Sequence, residues 1–219
     1  MNKIRCHVVV LALSVLVAQS AVADDNLWVG AKAGTLGLGV EGTWRPLPFF
    51  DLRAGLNLYD YAIGSGSEAG INYDTSLNLD TVYATANFRV PLNPFRFTVG
   101  MYSNSNELSM VSRGATGTVG GVTYLPSEVG TLRSTVSFKS TAPYLGFGFD
   151  FRAFNRIGIN LDFGFLWQDS PIVTLTSNGT LAGDPLFDSA LDTERLELET
   201  ELEDFKAYPV FSIGFAFNF

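Results

Sequence analysis

Histidine and cysteine are almost missing from this chain. Its 219 residues hold one of each, Cys6 and His7, and both fall inside a start that reads as a secretory leader. Lys3 and Arg5 form a basic beginning, Val8 to Val17 an apolar run, and Ala21-Val22-Ala23 a small-residue cleavage site. The apolar run is too short to cross a bilayer as a helix. Cys6 precedes it, which argues against a lipoprotein anchor. Residues 1–23 are thus predicted to be a signal peptide and 24–219 the working domain. Cleavage leaves 196 residues, without His or Cys, carrying 12 basic and 22 acidic side chains for a net charge of −10. That composition excludes disulfides, thiol nucleophiles, imidazole-dependent dyads and triads, and Cys- or His-ligated metal centres. The expectation is of no metal, no other cofactor and no enzymatic activity.

Charge is also scarce. Charged residues make up 16% of the chain against 47% hydrophobic ones, below the roughly 25% usual for a soluble domain. Yet no apolar run after residue 23 reaches the ~18 residues of a membrane helix. A secreted, apolar chain without helical spans fits a bacterial outer-membrane β-barrel or a secreted β-sandwich. Alternation separates them, because a barrel needs segments of about ten residues that are apolar towards lipid and polar towards the lumen.

The C-terminal segment alternates most clearly. Pro209, Phe211, Ile213, Phe215, Phe217 and Phe219 share one face, and Tyr208, Val210, Ser212, Gly214, Ala216 and Asn218 the other. A final strand ending on Phe resembles the signal read by the outer-membrane barrel-assembly machinery, with Phe215, Phe217 and Phe219 as its candidates and strand addition as its mode. The same dyad recurs around Leu52–Leu58, Val82–Val90, Phe95–Met101, Pro143–Phe151 and Ile157–Trp167. Residues 27–45 are too long for one strand, and a reversal at Gly34-Thr35-Leu36-Gly37 divides them into two. The total is eight, an even count as single-chain bacterial barrels have. The predicted fold is all-β: an eight-stranded, antiparallel, up-and-down transmembrane barrel.

Short connections at 46–48, 92–94 and 153–155 alternate with long ones at roughly 62–76, 104–134 and 170–206. Barrels of this type keep short turns in the periplasm and long loops outside. Parity then sends Lys32, Glu41, Arg45, Asp51, Arg53, Arg89, Arg96, Asp150, Arg152 and Asp162 inward, with Tyr83 beside them. An eight-stranded lumen is just wide enough to be filled by side chains. These charges form either a plug of compensating ion pairs or a narrow, charge-lined solute path. Glu41, Arg53 and Asp162 are expected to meet inside, whereas Arg45, Asp51, Arg89, Arg96 and Arg152 lie near the periplasmic end, within reach of water.

The last long loop is strongly acidic. Asp184, Asp188, Asp192, Glu194, Glu197, Glu199, Glu201, Glu203 and Asp204 face only Arg195 and Lys206. Phe187, Leu191, Leu198, Leu202 and Phe205 recur at helical spacing and suggest a short amphipathic helix, although Leu196-Glu197-Leu198-Glu199 also suits a strand. Such a loop either concentrates cationic solutes at a vestibule or is a solvated segment sharing divalent ions with lipopolysaccharide. Trp28, Trp44, Tyr59, Tyr61, Tyr144, Trp167 and Tyr208 are assigned to aromatic girdles at the membrane interfaces.

Several stretches resemble a known family. Val29-Gly-Ala-Lys-Ala33, Thr35-Leu-Gly-Leu-Gly39, the Asn78–Asn87 strand, Gly121-Val-Thr-Tyr124, Asp169-Ser-Pro-Ile-Val-Thr-Leu-Thr176 and above all Ala142-Pro-Tyr-Leu-Gly-Phe-Gly-Phe149 are similar to the ornithine-uptake or carbapenem-associated porins of Gram-negative bacteria. The resemblance implies an eight-stranded outer-membrane barrel and passage of basic amino acids. The leading expectation is therefore a narrow porin-like channel for small cationic solutes. The alternative is a non-conducting structural or surface-interaction barrel. Expected partners are outer-membrane lipid, lipopolysaccharide, the assembly machinery and small solutes, and not nucleic acid.

Overall fold

The computed structural model describes residues 26–68, 71–113, 117–153 and 156–218. In chain order the strands are β1 (Leu27–Gly34), β2 (Gly37–Leu47), β3 (Phe50–Glu68), β4 (Ile71–Arg89), β5 (Phe95–Asn104), β6 (Glu107–Arg113), β7 (Gly117–Val119), β8 (Val122–Tyr124), β9 (Thr131–Ser137), β10 (Thr141–Ala153), β11 (Ile157–Trp167), β12 (Ile172–Ser177) and β13 (Ala207–Asn218). Two helices, α1 (Pro126–Val129) and α2 (Pro185–Glu201), and a 3₁₀ turn, Glu203–Lys206, complete the described elements.

Eight of these strands close a barrel in the order β4-β3-β2-β1-β13-β11-β10-β5, with β5 pairing back onto β4. Closure satisfies the backbone groups inside lipid and leaves no edge there. The predicted reversal is the turn between β1 and β2, where Gly37 has φ 97°, a conformation that costs glycine little. The dyad holds in space. Along β13, Phe211, Ile213, Phe215 and Phe217 are exposed to the lipid side, and Val210, Ser212 and Ala216 are buried inside.

The long connections are not loops. β3 and β4 are 19 residues each, so the predicted 62–76 connection is mostly a hairpin that continues past the membrane, with a register shift between Ala62 and Gly64. The membrane half of β4, Thr81–Arg89, pairs with β5, while its outer half, Asn72–Asn78, pairs with β6. β9 then joins β6, and β12 joins β9. The barrel wall thus opens on one side into a sheet that extends beyond the closed ring.

Helix α2 lies against β12 and β7 of that outer structure. It starts where the sequence allows a helix to start: the Asp184 carboxylate accepts from the backbone N–H groups of Leu186 (2.9 Å) and Phe187 (3.3 Å), and Pro185 takes the first position. Phe187 and Ala190 are its buried residues, the Phe187 ring meeting Tyr124 edge-on at 5.0 Å. The helix has 17 residues, longer than the short one expected, and no strand forms over Leu196–Glu199.

Candidate functional site

The lumen is the candidate site, and arginine organises it. Arg53 on β3 faces four carboxylates. Its Nη1 lies 3.6 Å from Glu41 Oε1 and 3.6 Å from Asp162 Oδ1, its Nη2 3.2 Å from Asp150 Oδ1, and its Nε 3.9 Å from Asp51 Oδ1. Arg96 on β5, fully buried, pairs with Asp162 and with Asp150, the latter at 3.1 Å. It also donates to Thr98 Oγ1 (2.6 Å) and Asn87 Oδ1 (3.1 Å). Arg89 pairs with both Asp51 and Asp150. Lys32 lies 3.7 Å from Glu41 and 4.0 Å from the centre of the Tyr83 ring. Buried charges are tolerated only when partnered in this way, because one left alone costs several kcal/mol.

All six lumen candidates, Lys32, Glu41, Arg53, Tyr83, Asp150 and Asp162, lie in this cluster. Tyr83 Oη donates to Glu41 Oε2 at 2.8 Å, Asn160 Nδ2 to Glu41 Oε1 at 3.3 Å, and Ser212 Oγ to Asp162 Oδ2 at 3.3 Å. The meeting of Glu41, Arg53 and Asp162 follows the parity reading. Asp51, Arg89 and Arg96 do not. They were expected at a hydrated rim, but Asp51 and Arg96 are fully buried and all three are paired. The strand tilt of a small barrel brings side chains near the strand ends under those of the neighbouring strands, which removes them from water.

Above the ionic layer sits an apolar and aromatic one. Tyr83 and Tyr102 stack with ring centres 4.8 Å apart, and Tyr144 tilts against Tyr102 at 5.4 Å. Leu36, Ala142, Leu166 and Val210 pack with them. Glycine makes the space: a Cβ on Gly55, which pairs with Tyr83 across β3–β4, would come within 2.6 Å of Tyr83 Oη. Higher still, Asn104 Nδ2 donates to Gln168 Oε1 (3.2 Å), and Gln168 Nε2 donates to the carbonyl of Phe205 (3.0 Å). The void lined by Lys32, Glu41, Arg53, Tyr83, Tyr102, Tyr144 and Asp162 measures about 10 Å³, no more than one water requires.

Three of the aromatic residues expected in a girdle lie elsewhere. Tyr144 and Trp28 are buried inside the barrel. Trp44, Tyr59, Tyr61 and Trp167 are exposed on the outside, and Tyr208 packs against the luminal cluster while donating to the Thr35 carbonyl at 2.7 Å. Leu166 and Val210 were not singled out in the sequence, although parity already turned both inward.

The acidic residues occupy α2 and the turn after it. Glu194 Oε2 accepts from the Gly120 N–H at 3.0 Å, and Glu199 Oε1 from the Val173 N–H at 3.1 Å. These two carboxylates fasten the helix to the β7–β8 turn and to β12. Asp192 and Glu199 both pair with Arg195, and Glu203 pairs with Lys206. Glu197, Glu201 and Asp204 are exposed. Lys206 beside Glu203 holds that carboxyl below its ordinary range. Asp169 is likewise lowered, by the Ser170 backbone N–H and then by Lys139 at 3.2 Å. At the other end of the molecule, Phe215 and Phe217 point outward from β13, while Phe219 lies outside the described residues, as does the predicted leader.

No protein-family model and no curated protein matches the chain. Solved structures do. CarO2 of Acinetobacter baumannii superposes with a TM-score of 0.59 at 21% identity, covering 88% of this chain and 98% of that one. CarO of Acinetobacter baumannii gives 0.56 at 23%, covering 88% and 97%. The resemblance read from the sequence is thus matched at the level of the fold. The chain has the closed eight-stranded fold of the CarO outer-membrane barrels.

Proposed function

We propose that this chain, after loss of residues 1–23, is a sealed surface barrel. It anchors an extracellular platform and does not pass solutes. One observation carries the reading: Arg53 spans the lumen to four carboxylates beneath a layer of Tyr83, Tyr102 and Tyr144. Opening a path means separating buried ion pairs, which breaks several at once. The platform is the sheet of β4, β6, β9 and β12 with α2 fastened upon it. Its carboxylate-rich outer surface suits divalent ions shared with lipopolysaccharide. Phe215, Phe217 and Phe219 are the proposed recognition signal for the assembly machinery.

A narrow channel favouring cationic solutes is the second reading. The acids of α2 and the following turn favour it, since they raise the local concentration of cations. The lumen itself works against it, because six cations stand there against four anions. Proteoliposomes loaded with arginine or ornithine discriminate the two. The sealed barrel gives efflux equal to that of protein-free liposomes. Efflux above that background, reduced when residues 197–204 lose their acids, establishes the channel.

A further inference from the structure

We propose that the periplasmic mouth of the barrel binds an oxyanion, a phosphate or carboxylate group, between Arg45, Arg152 and Trp28. The charges of the lumen do not balance. Among the described residues, Lys32, Arg45, Arg53, Arg89, Arg96 and Arg152 meet only Glu41, Asp51, Asp150 and Asp162. The shortfall is localised. Asp51 is shared by Arg53, Arg89 and Arg45, and Arg45 reaches it only at 3.6 Å. The Nε and Nη2 atoms of Arg45 are buried and donate no hydrogen bond among the described residues. Arg152 has no carboxylate partner among the described residues. Its guanidinium stacks 4.5 Å above the Trp28 ring.

Trp28 supplies a third idle donor. The residue is 5% exposed, yet its indole N–H has no acceptor among the described residues. Buried N–H groups are nearly always bonded, so an orphan beside two under-paired arginines marks a missing acceptor. These residues lie together at one end. Trp28 pairs with Thr43, two residues before Arg45, whose backbone N–H donates to the Asn26 carbonyl at 2.8 Å. Arg152 pairs with Gly158, and a Cβ at that glycine would touch the Trp28 ring at 3.5 Å. Two guanidinium forks and one indole N–H match the planar or tetrahedral oxygens of a carboxylate or phosphate. On this proposal the ligand enters from the periplasmic end, on the far side of these residues from the ionic layer.

The test uses the full mature chain in detergent micelles with Trp44→Phe and Trp167→Phe, which leaves Trp28 as the only indole. Sodium phosphate and sodium acetate are titrated separately at constant ionic strength, with chloride as the balancing salt. The expected result is a saturable change in Trp28 emission. Response to phosphate alone identifies a phosphoryl ligand, and response to both admits carboxylates. Arg152→Gln and Arg45→Gln should each weaken apparent affinity about tenfold or more, as loss of a charge-assisted hydrogen bond does. Far-UV circular dichroism checks that both variants stay folded, and Arg152→Lys, which keeps the charge, should bind between wild type and Arg152→Gln. A response that chloride reproduces, no saturable response, or equal affinity in the glutamine variants overturns the proposal. So does binding that emerges only after Asp24→Asn and Asp25→Asn, because the chain's own acids would then be the occupants.

Discussion

Arg53 and Asp162 meet across the width of the barrel, Nη1 to Oδ1 at 3.6 Å. Their strands, β3 and β11, stand four places apart in either direction around the eight-stranded ring. The contact therefore bridges opposite walls and cannot form beside an open pore. Arg53→Ala should destabilise the barrel by about 3–5 kcal/mol, since it leaves buried carboxylates without their shared cation. Chemical denaturation of the protein refolded into detergent micelles measures this. A loss below about 1 kcal/mol would mean that water or another cation does the work assigned to Arg53.

Gly55→Val tests the aromatic layer. A side chain there must displace the Tyr83 phenol, with its hydrogen bond to Glu41, and also presses on the Val40 backbone carbonyl. The expected cost is about 1–3 kcal/mol from overpacking. Tyr83→Ala in the same background should recover part of it, and an unchanged penalty would locate the strain elsewhere.

Helix α2 should release independently of the barrel. Phe187→Ala removes its buried anchor, a loss of about 3–5 kcal/mol at a site outside the membrane. Limited proteolysis should then cut within 185–201 much faster, with the midpoint of barrel unfolding unmoved. Cutting at the wild-type rate would show that the carboxylate contacts of Glu194 and Glu199 suffice.

Asp169 offers a pH readout beyond the membrane. Its folded-state pKa lies below the ordinary carboxylate value because the Ser170 N–H and Lys139 stabilise the anion. The contribution it makes to folding is therefore present above the ordinary value and is lost as pH falls through the lowered one. Lys139→Ala should raise the pKa of Asp169 in a carbon-13 NMR titration without restoring the ordinary value, as the Ser170 contact persists. No change would remove Lys139 as a cause.

Deleting Phe219 should lower outer-membrane levels of the protein, read by quantitative blotting of membrane fractions, if the strand end is the assembly signal. Normal levels would count against that role.

The barrel was legible in the sequence because lipid imposes a strict dyad, and residues such as Phe211 and Ser212 had only one way to face. The lumen was legible as a set of residues but not as an arrangement. Parity places Arg53 and Asp162 inward, yet the strand tilt decides that Asp51 and Arg96 are dry. Trp28, Tyr144 and Tyr208 depart from the girdle expectation because an aromatic near a strand end suits a membrane girdle and a luminal cap equally well, and composition does not separate them. The sheet of β4, β6, β9 and β12 is hidden in the sequence for another reason. The outer half of β4 pairs with β6 and not with β5, and β6 with β9, so the pairing changes partner midway along a strand. Helix α2 was partly visible through Phe187, Leu191 and Leu198. The alternation of Leu196 to Glu199 concealed its length.

Conductance across a planar bilayer tests the sealed lumen most directly. Wild-type protein inserted in 1 M potassium chloride, a salt that screens surface charge within about 3 Å, should give no discrete current steps above those of detergent alone. Reproducible unitary steps from the purified wild-type barrel would contradict the plug of Arg53, Arg96 and their carboxylates.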